Sequence, residues 1–272
     1  MPRLRILELH VTHQCNLACD SCSHYSNHGH AGQTSVWEAE QWLGAWSSRL
    51  AVDHFRLLGG EPTIHPELPA FVLLVRRFWP QSRIRIVTNG FFLHRHPDLP
   101  AAISSVGNAD IAVSIHHGSD EYRKRLRPVF KLLEQWKRDH GISVEIKQSY
   151  SHWTQRYHGF GEGMSPFEDG LPRRSWEICP ARRCKQLYQG KLWKCAPLAY
   201  LQLQNAKYKL SEKWQVPLAY KALDPICSDR ELKQFLALED EPVCSMCPAD
   251  RVPFTLPIPL RNAAAGAGER VR

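Results

Sequence analysis

The first 150 residues alternate between two hydrophobic patterns. Short segments in which every second residue, or nearly every residue, is apolar predict strands, and longer segments with apolar residues three and four positions apart predict helices. The predicted strands cover residues 6–12, 55–58, 83–88, 111–115 and 143–150, and a sixth is expected around 192–200. The predicted helices cover residues 37–50, 66–79, 97–106 and 121–140. This alternation predicts parallel βα units and therefore an α/β fold.

Polar or glycine-rich segments follow four of these strands directly. They are the loop with Cys15, Cys19 and Cys22, then Gly59-Gly60-Glu61-Pro62, Thr88-Asn89-Gly90, and Ser114 with the two histidines after Ile115. In a parallel sheet the carboxyl ends of the strands lie along one edge, where ligands bind. The sequence therefore predicts one composite site at that edge.

The character of the chain changes after residue 150. Residues 152–174 are rich in Gly, Pro, His and aromatic residues without a clean period, which predicts a loop over a site. We therefore expect a core domain over 1–174 and a cysteine-rich region over 175–260. The Ala/Gly-rich residues 261–272 are expected to be disordered.

Composition is typical of a soluble globular protein, with 43% hydrophobic residues, 23% charged residues and a mean hydropathy of −0.40. No stretch of 18 apolar residues occurs, and the N-terminus lacks the apolar segment of a signal peptide, so we expect a cytoplasmic protein without a membrane span. The 35 Lys and Arg against 27 Asp and Glu give a net charge of +8. The densest basic cluster, 123–127, lies at the start of a predicted helix, and nucleic acid is not expected as a partner.

The nine cysteines form two groups. Three lie within residues 15–22 and six within 179–247, while 23–178 contain none. In a reducing compartment, cysteines in such groups are metal ligands or catalytic groups more often than disulfides. We therefore expect two separate sites.

The first group has the spacing C-x3-C-x2-C, over Cys15, Cys19 and Cys22. Three thiolates on one loop can bind three irons of a [4Fe–4S] cluster and leave the fourth iron open. A zinc site completed by His24 or His28 is the alternative.

The three cysteines follow the first strand, and the motifs described above follow the next three strands. In this combination and order, residues 5–150 resemble the radical S-adenosylmethionine (SAM) superfamily. The resemblance implies a partial (β/α)6 TIM-like barrel, a [4Fe–4S] cluster on the three cysteines, and SAM on the open iron. The residues implied to contact SAM are Gly59, Gly60, Glu61, Pro62, Thr88, Asn89, Ser114 and Arg127.

Individual roles follow from the same resemblance. The two glycines would let the backbone approach the SAM amino group, and Glu61 would lie near that ammonium. Arg127 would pair with the SAM carboxylate, although Arg125 fits equally well. Relatives carry an aromatic residue before the third cysteine, where this chain has Ser21, so Tyr25 is expected to pack on the adenine.

The second group resembles the twitch or SPASM extension of some radical SAM enzymes. Its pattern is C-x10-G-x4-C followed later by C-x2-C. The resemblance implies an auxiliary [4Fe–4S] cluster on Cys179, Cys195, Cys244 and Cys247. Cys184 is an alternative to Cys179, and a zinc ribbon on the same thiolates is an alternative to the cluster.

Two further residues are catalytic candidates. Cys184 is a candidate hydrogen-atom donor, with an inert buried thiol as the alternative. Lys147, in the last strand of the core domain, is a candidate base or charged anchor, with a solvated side chain as the alternative.

The resemblance implies reductive cleavage of SAM to a 5′-deoxyadenosyl radical, which abstracts a substrate hydrogen. Relatives with the twitch extension imply oxidation or epimerisation of a small sugar-like or aminocyclitol molecule, with flavodoxin or ferredoxin as the electron donor. A peptide-modifying maturase is the alternative enzyme. A non-catalytic zinc or iron–sulfur module that binds nucleic acid is the alternative from another class.

Overall fold

A seven-stranded sheet organises the computed structural model, which describes residues 1–260; the predicted disordered tail lies outside the described residues. The strands are β1 (Arg3–Thr12), β2 (Ala51–Gly59), β3 (Arg83–Thr88), β4 (Ala109–Ile115), β5 (Ser143–Gln148), β6 (Cys184–Tyr188) and β7 (Lys191–Trp193). Their order is β5-β4-β3-β2-β1-β6-β7, and every neighbouring pair is parallel except β6–β7. The predicted parallel α/β fold is confirmed.

The sixth parallel strand lies elsewhere than predicted. It is β6, which pairs with β1 on the side opposite β2. In the expected segment, only Leu192 and Trp193 are in a strand, the antiparallel β7, and a helix begins at Ala196. An apolar run of this length does not distinguish a strand from a buried helix by its period. Pro197, near the start of the helix, marks where the helix begins.

Helices lie between the parallel strands along the chain as far as β6, and further helices follow β7. They are α1 (Val36–Ser47), α2 (Leu68–Phe78), α3 (Leu99–Val106), α4 (Asp120–His140), α5 (Pro172–Ile178), α6 (Ala196–Tyr208), α7 (Gln215–Leu218) and α8 (Asp229–Ala237). The first four agree with the predicted helices. Serines at the starts of α1 and α4 accept backbone N–H groups of the first turn, which fixes where both helices begin. Among residues 1–260, no helix is both long and apolar enough to cross a membrane.

Two hydrophobic clusters hold the structure together. The larger contains β1–β4 and α1–α4, and in β1 its members Leu7, Leu9 and Val11 alternate along the strand. The smaller surrounds α6 and includes Tyr25 from the first cysteine loop. The cysteine-rich region therefore packs against the core domain through β6 and through this second cluster.

Candidate active site

The three cysteines of the first loop lie at the carboxyl edge of the sheet. Cys15, Cys19 and Cys22 line a cavity of about 250 Å³. The ends of β2, β3 and β4 contribute further predicted residues to the same cavity, namely Gly59, Gly60, Glu61, Thr88, Asn89 and Ser114. The structure thus brings together residues that are 99 positions apart in the sequence. Sheet topology accounts for this, because parallel strands end at a common edge.

The two glycines are required by packing within the chain itself. A Cβ atom on Gly59 would lie 2.4 Å from the carbonyl oxygen of Thr12, and one on Gly60 would lie 2.2 Å from that of Gln14. The Gly60 N–H donates to the Thr12 carbonyl at 2.8 Å. Glycine at these positions therefore lets the end of β2 lie directly against the start of the cysteine loop.

Glu61 joins the loops that follow β2 and β3. Its carboxylate accepts hydrogen bonds from the hydroxyl groups of Thr63 and Thr88 and from the N–H of Asn89 at 2.7 Å. Burial raises the pKa of Glu61, and these hydrogen bonds oppose the increase. The carboxylate lines the cavity and is held rigidly in place.

Asn89 anchors the cysteine loop from the other side. Its Nδ2 donates to Oδ1 of Asn16 at 2.8 Å, and its own Oδ1 accepts the N–H of Phe91 at 3.2 Å. Asn16 directly follows Cys15. The glycines and Asn89 therefore hold the same loop through contacts from two different strands.

The thiols of this loop affect one another. Burial raises the pKa of Cys19, and the neighbouring Cys15 and Cys22 raise it further. Burial raises the pKa of Cys22, but the hydrogen bond and charge of His24, together with backbone N–H groups of His24 and Ser26, outweigh burial and lower it. Three clustered soft donors suit an iron–sulfur centre, which binds them as thiolates.

No three His, Cys, Asp or Glu side chains among residues 1–260 surround a point where one metal ion could bind. A four-iron cluster differs from a single ion, because each thiolate binds a different iron.

Trp153 supplies the aromatic surface of the cavity. Its indole N–H donates to the carbonyl of Asp20 at 2.7 Å, and its ring packs edge-on against His116 with the centroids 5.5 Å apart. The sequence predicts that its loop covers the site, but no pattern distinguishes this residue from its neighbours. A tryptophan shortly after the last core strand was the available signal.

Tyr25 does not line this cavity, in contrast to its predicted contact with adenine. It is buried in the second hydrophobic cluster. Burial raises its pKa, and Tyr157 and the thiols Cys247, Cys195 and Cys22 add to the increase. Thiols of both cysteine groups are therefore close enough to the Tyr25 phenol to affect its pKa.

Ser21 contributes a hydrogen bond between the cysteine loop and the segment around Arg156. It has a positive φ of 58°, and its hydroxyl accepts the backbone N–H of Arg156 at 2.6 Å. The small polar side chain thus connects the cysteine loop to the loop that covers it.

The predicted arginine is also placed elsewhere. Arg127 is exposed on α4 and lines a separate cavity with Ile115 and Tyr150. Arg125 pairs at 3.2 Å with Glu121, and both are exposed. Among the described residues that line the cysteine cavity, none is arginine or lysine.

Two other predicted residues do not reach the cavity. Pro62 is buried in the first position of a short 3-10 turn, Pro62–Ile64, and does not line the cavity. Lys147 is 43% exposed and pairs with Glu145 at 3.4 Å. Pro62 is thus part of the loop after β2. The position of Lys147 agrees with the alternative prediction of a solvated side chain.

Cys184 lies at the amino end of β6, opposite Ile6 and away from the edge with the cysteine loop. Its thiol is 3.7 Å from Nη1 of Arg56, and burial raises its pKa to about 12. It lines neither cysteine cavity. This placement supports neither hydrogen donation nor metal binding by Cys184 and agrees with an inert buried thiol.

The four predicted cysteines of the second group come together. Cys179, Cys195, Cys244 and Cys247 line one small cavity of about 40 Å³. They lie at the end of α5, directly before α6, and in and after a 3-10 turn. Burial, and then the neighbouring thiols, raises the pKa of Cys195 and Cys247. Four thiols around one cavity are a suitable donor set for a [4Fe–4S] cluster, in which each thiolate binds a different iron.

Comparison with known proteins identifies relatives of part of the chain. "Probable GTP 3',8-cyclase" of Aeropyrum pernix is 30% identical over 131 residues, which are 45% of this chain and 35% of that protein. GTP 3',8-cyclase of Aquifex aeolicus is 27% identical over 127 residues, 45% of this chain and 38% of that protein. The match therefore spans little more than a third of these relatives.

The solved structures that resemble this chain share less sequence identity with it than these relatives do. The structure of BtrN in complex with AdoMet and 2-DOIA is 16% identical, with a TM-score of 0.48 over 93% of this chain and 98% of that one. Streptococcus suis SuiB bound to S-adenosylmethionine is 17% identical, with a TM-score of 0.42 over 54% of this chain and 36% of that one.

One family model matches the chain, that of the radical SAM superfamily, over residues 9–144. This segment is half of the chain and contains the three cysteines and the motifs at the ends of β2, β3 and β4. The family implies SAM and a [4Fe–4S] cluster as cofactors. The chain belongs to the radical SAM superfamily.

Proposed function

We propose that this chain is a radical SAM oxidoreductase that dehydrogenates a small sugar-like or aminocyclitol substrate. Cys15, Cys19 and Cys22 would hold the cluster, with SAM beside Glu61 and Trp153. Together these cofactors supply a 5′-deoxyadenosyl radical that takes one hydrogen atom from a substrate carbon. The electron for SAM cleavage would come from flavodoxin or ferredoxin.

The cavity of four cysteines is the observation that carries this proposal. Four protein thiolates occupy every iron of a [4Fe–4S] cluster and leave none open for a substrate. Such an auxiliary centre exchanges electrons. After a hydrogen atom has left, dehydrogenation of an alcohol or amine carbon still requires the loss of one electron and one proton, and the auxiliary centre would accept that electron.

The position of Tyr25 supports electron exchange between the two sites. Its buried phenol is in electrostatic range of Cys22 from the first loop and of Cys195 and Cys247 from the second group. Tyr25 also belongs to the hydrophobic cluster against which Cys195 and Cys247 pack, so a residue next to the first cysteine loop contributes to the packing around the second group.

His116 is not well suited to take the proton. It lines the cavity of the first cysteine loop, but burial lowers its pKa to about 4, which makes the imidazole a weak base at neutral pH. Epimerisation would instead require a hydrogen donor, and Cys184 does not line this cavity.

Cyclisation of a nucleotide is the second candidate, because the curated relatives are GTP 3',8-cyclases. Incubation with SAM, reductant and, in turn, aminocyclitols, GTP and short peptides separates these functions and the peptide-modifying alternative. We expect an oxidised product from the aminocyclitol set. A cyclised nucleotide or a modified peptide in its place would overturn the proposal.

Removing the auxiliary thiols will separate SAM cleavage from substrate oxidation. The double variant Cys195→Ala/Cys244→Ala should cleave SAM with dithionite at a rate within about threefold of the wild type, while product formation falls by about 100-fold or more. The products to quantify by mass spectrometry are 5′-deoxyadenosine and the oxidised substrate.

The matched control is Cys227→Ala, because this half-buried thiol lies near Arg49 and lines neither cysteine cavity. It should leave both products unchanged. Product formation at the wild-type rate by the double variant would show that the auxiliary site takes no part in oxidation.

A further inference from the structure

Lys185 is a largely buried lysine for which no polar side-chain partner is found among residues 1–260. It lies in β6, is 5% exposed, and lines the cavity of the four cysteines. Among residues 1–260, no hydrogen bond or ion pair of its ammonium is found; the nitrogen lies 5.1 Å from the ring centroid of Phe235. Lys194, which lines the same cavity, differs: its ammonium donates to the Glu239 carbonyl at 2.7 Å and pairs with Glu241 at 2.6 Å.

Burying an unpaired ammonium group is costly, and lysine is rarely buried without a compensating charge. Burial lowers the pKa of Lys185, and Lys194 lowers it further, while Cys195, Glu241 and Cys244 raise it. Glu241 is already paired with Lys194. The negative charge that remains for Lys185 is that of the cysteines, once a metal centre binds them as thiolates.

We propose that Lys185 compensates the charge of the auxiliary [4Fe–4S] cluster and raises its reduction potential. The inference rests on the proposed function, in which the four cysteines hold that cluster. Four thiolates give such a cluster a net negative charge, and reduction adds one electron to it without a proton. A cation beside the cluster stabilises the reduced form more than the oxidised form. The lysine thus favours acceptance of an electron from a substrate radical.

Lys185→Met removes the charge and keeps most of the side chain. The midpoint potential of the auxiliary cluster is measured by an EPR-monitored redox titration of reconstituted protein carrying Cys15→Ala/Cys19→Ala/Cys22→Ala, in which the auxiliary cluster alone contributes. We expect a more negative potential for Lys185→Met and a potential near that of the parent protein for Lys185→Arg. The exposed Lys221→Met is the matched control and should cause no shift.

The metal-free protein provides a readout that does not depend on the cluster. There, Lys185→Met should raise the melting temperature, because it replaces a charged side chain at a largely buried position by an apolar one of similar length. If the lysine merely filled space, the variant would lower the melting temperature and leave the potential unchanged.

The possible failures are distinguishable. About four irons per chain with no shift in potential for Lys185→Met would refute the role of Lys185 and leave the proposed function standing. Zinc, or no metal, in the parent protein would refute the auxiliary cluster and this inference with it.

Discussion

Replacing Cys15, Cys19 and Cys22 together by alanine will abolish SAM cleavage and remove about four of the irons bound per chain. All three thiols line the cavity to which the ends of β2, β3 and β4 contribute. Without thiolates no cluster is available to transfer an electron to SAM. The measurements are 5′-deoxyadenosine formation with dithionite and the iron content of anaerobically reconstituted protein.

Cys184→Ala is the control for the loss of a buried thiol. Cys184 is only 4% exposed but lines neither cysteine cavity, so its removal should change neither the iron content nor SAM cleavage. If the triple variant cleaved SAM at the wild-type rate, the assignment of the first loop would be wrong.

Adding one methyl group at Gly60 will destabilise the protein and displace the cysteine loop. The new Cβ would lie 2.2 Å from the carbonyl oxygen of Gln14, a backbone atom that cannot rotate away. We expect Gly60→Ala to lower the free energy of unfolding of the metal-free protein by about 2–3 kcal/mol. Since Cys15 directly follows Gln14, iron binding by the first loop should also fall. Urea denaturation and iron analysis test both effects.

Gly163→Ala is the matched control, since a Cβ atom added there would meet open space within 4 Å and the φ of Gly163 is not in the left-handed region. Its stability should stay within about 0.5–1 kcal/mol of the wild type. Wild-type stability and iron content in Gly60→Ala would contradict the packing account of the glycine pair.

The fold of the first half of the chain could be predicted from the sequence, because its strands and helices follow from hydrophobic patterns and caps within short segments. In β1, Leu7, Leu9 and Val11 alternate with polar residues, and α1 and α4 begin at serines that cap them. The shared edge of a parallel sheet then brings Glu61 and Ser114 into the same cavity as the first cysteine group. Periodicity and topology were sufficient for this part.

What the sequence did not reveal depends on contacts between distant segments. Nothing local indicates that β6 pairs with β1, or that Arg127 faces a different cavity on α4. Nor does any local pattern show that the Cβ positions of Gly59 and Gly60 are filled by the backbone of Thr12 and Gln14. Trp153 was not singled out, because its contact with Asp20 joins residues 133 positions apart.

The content of iron, acid-labile sulfide and zinc per chain, measured on anaerobically reconstituted wild-type protein, tests the central claim most directly. Two [4Fe–4S] centres predict about eight irons and eight sulfides with no zinc. About four irons with one zinc would make the second site structural and contradict the proposed electron acceptor, and two zincs with little iron would contradict radical chemistry altogether.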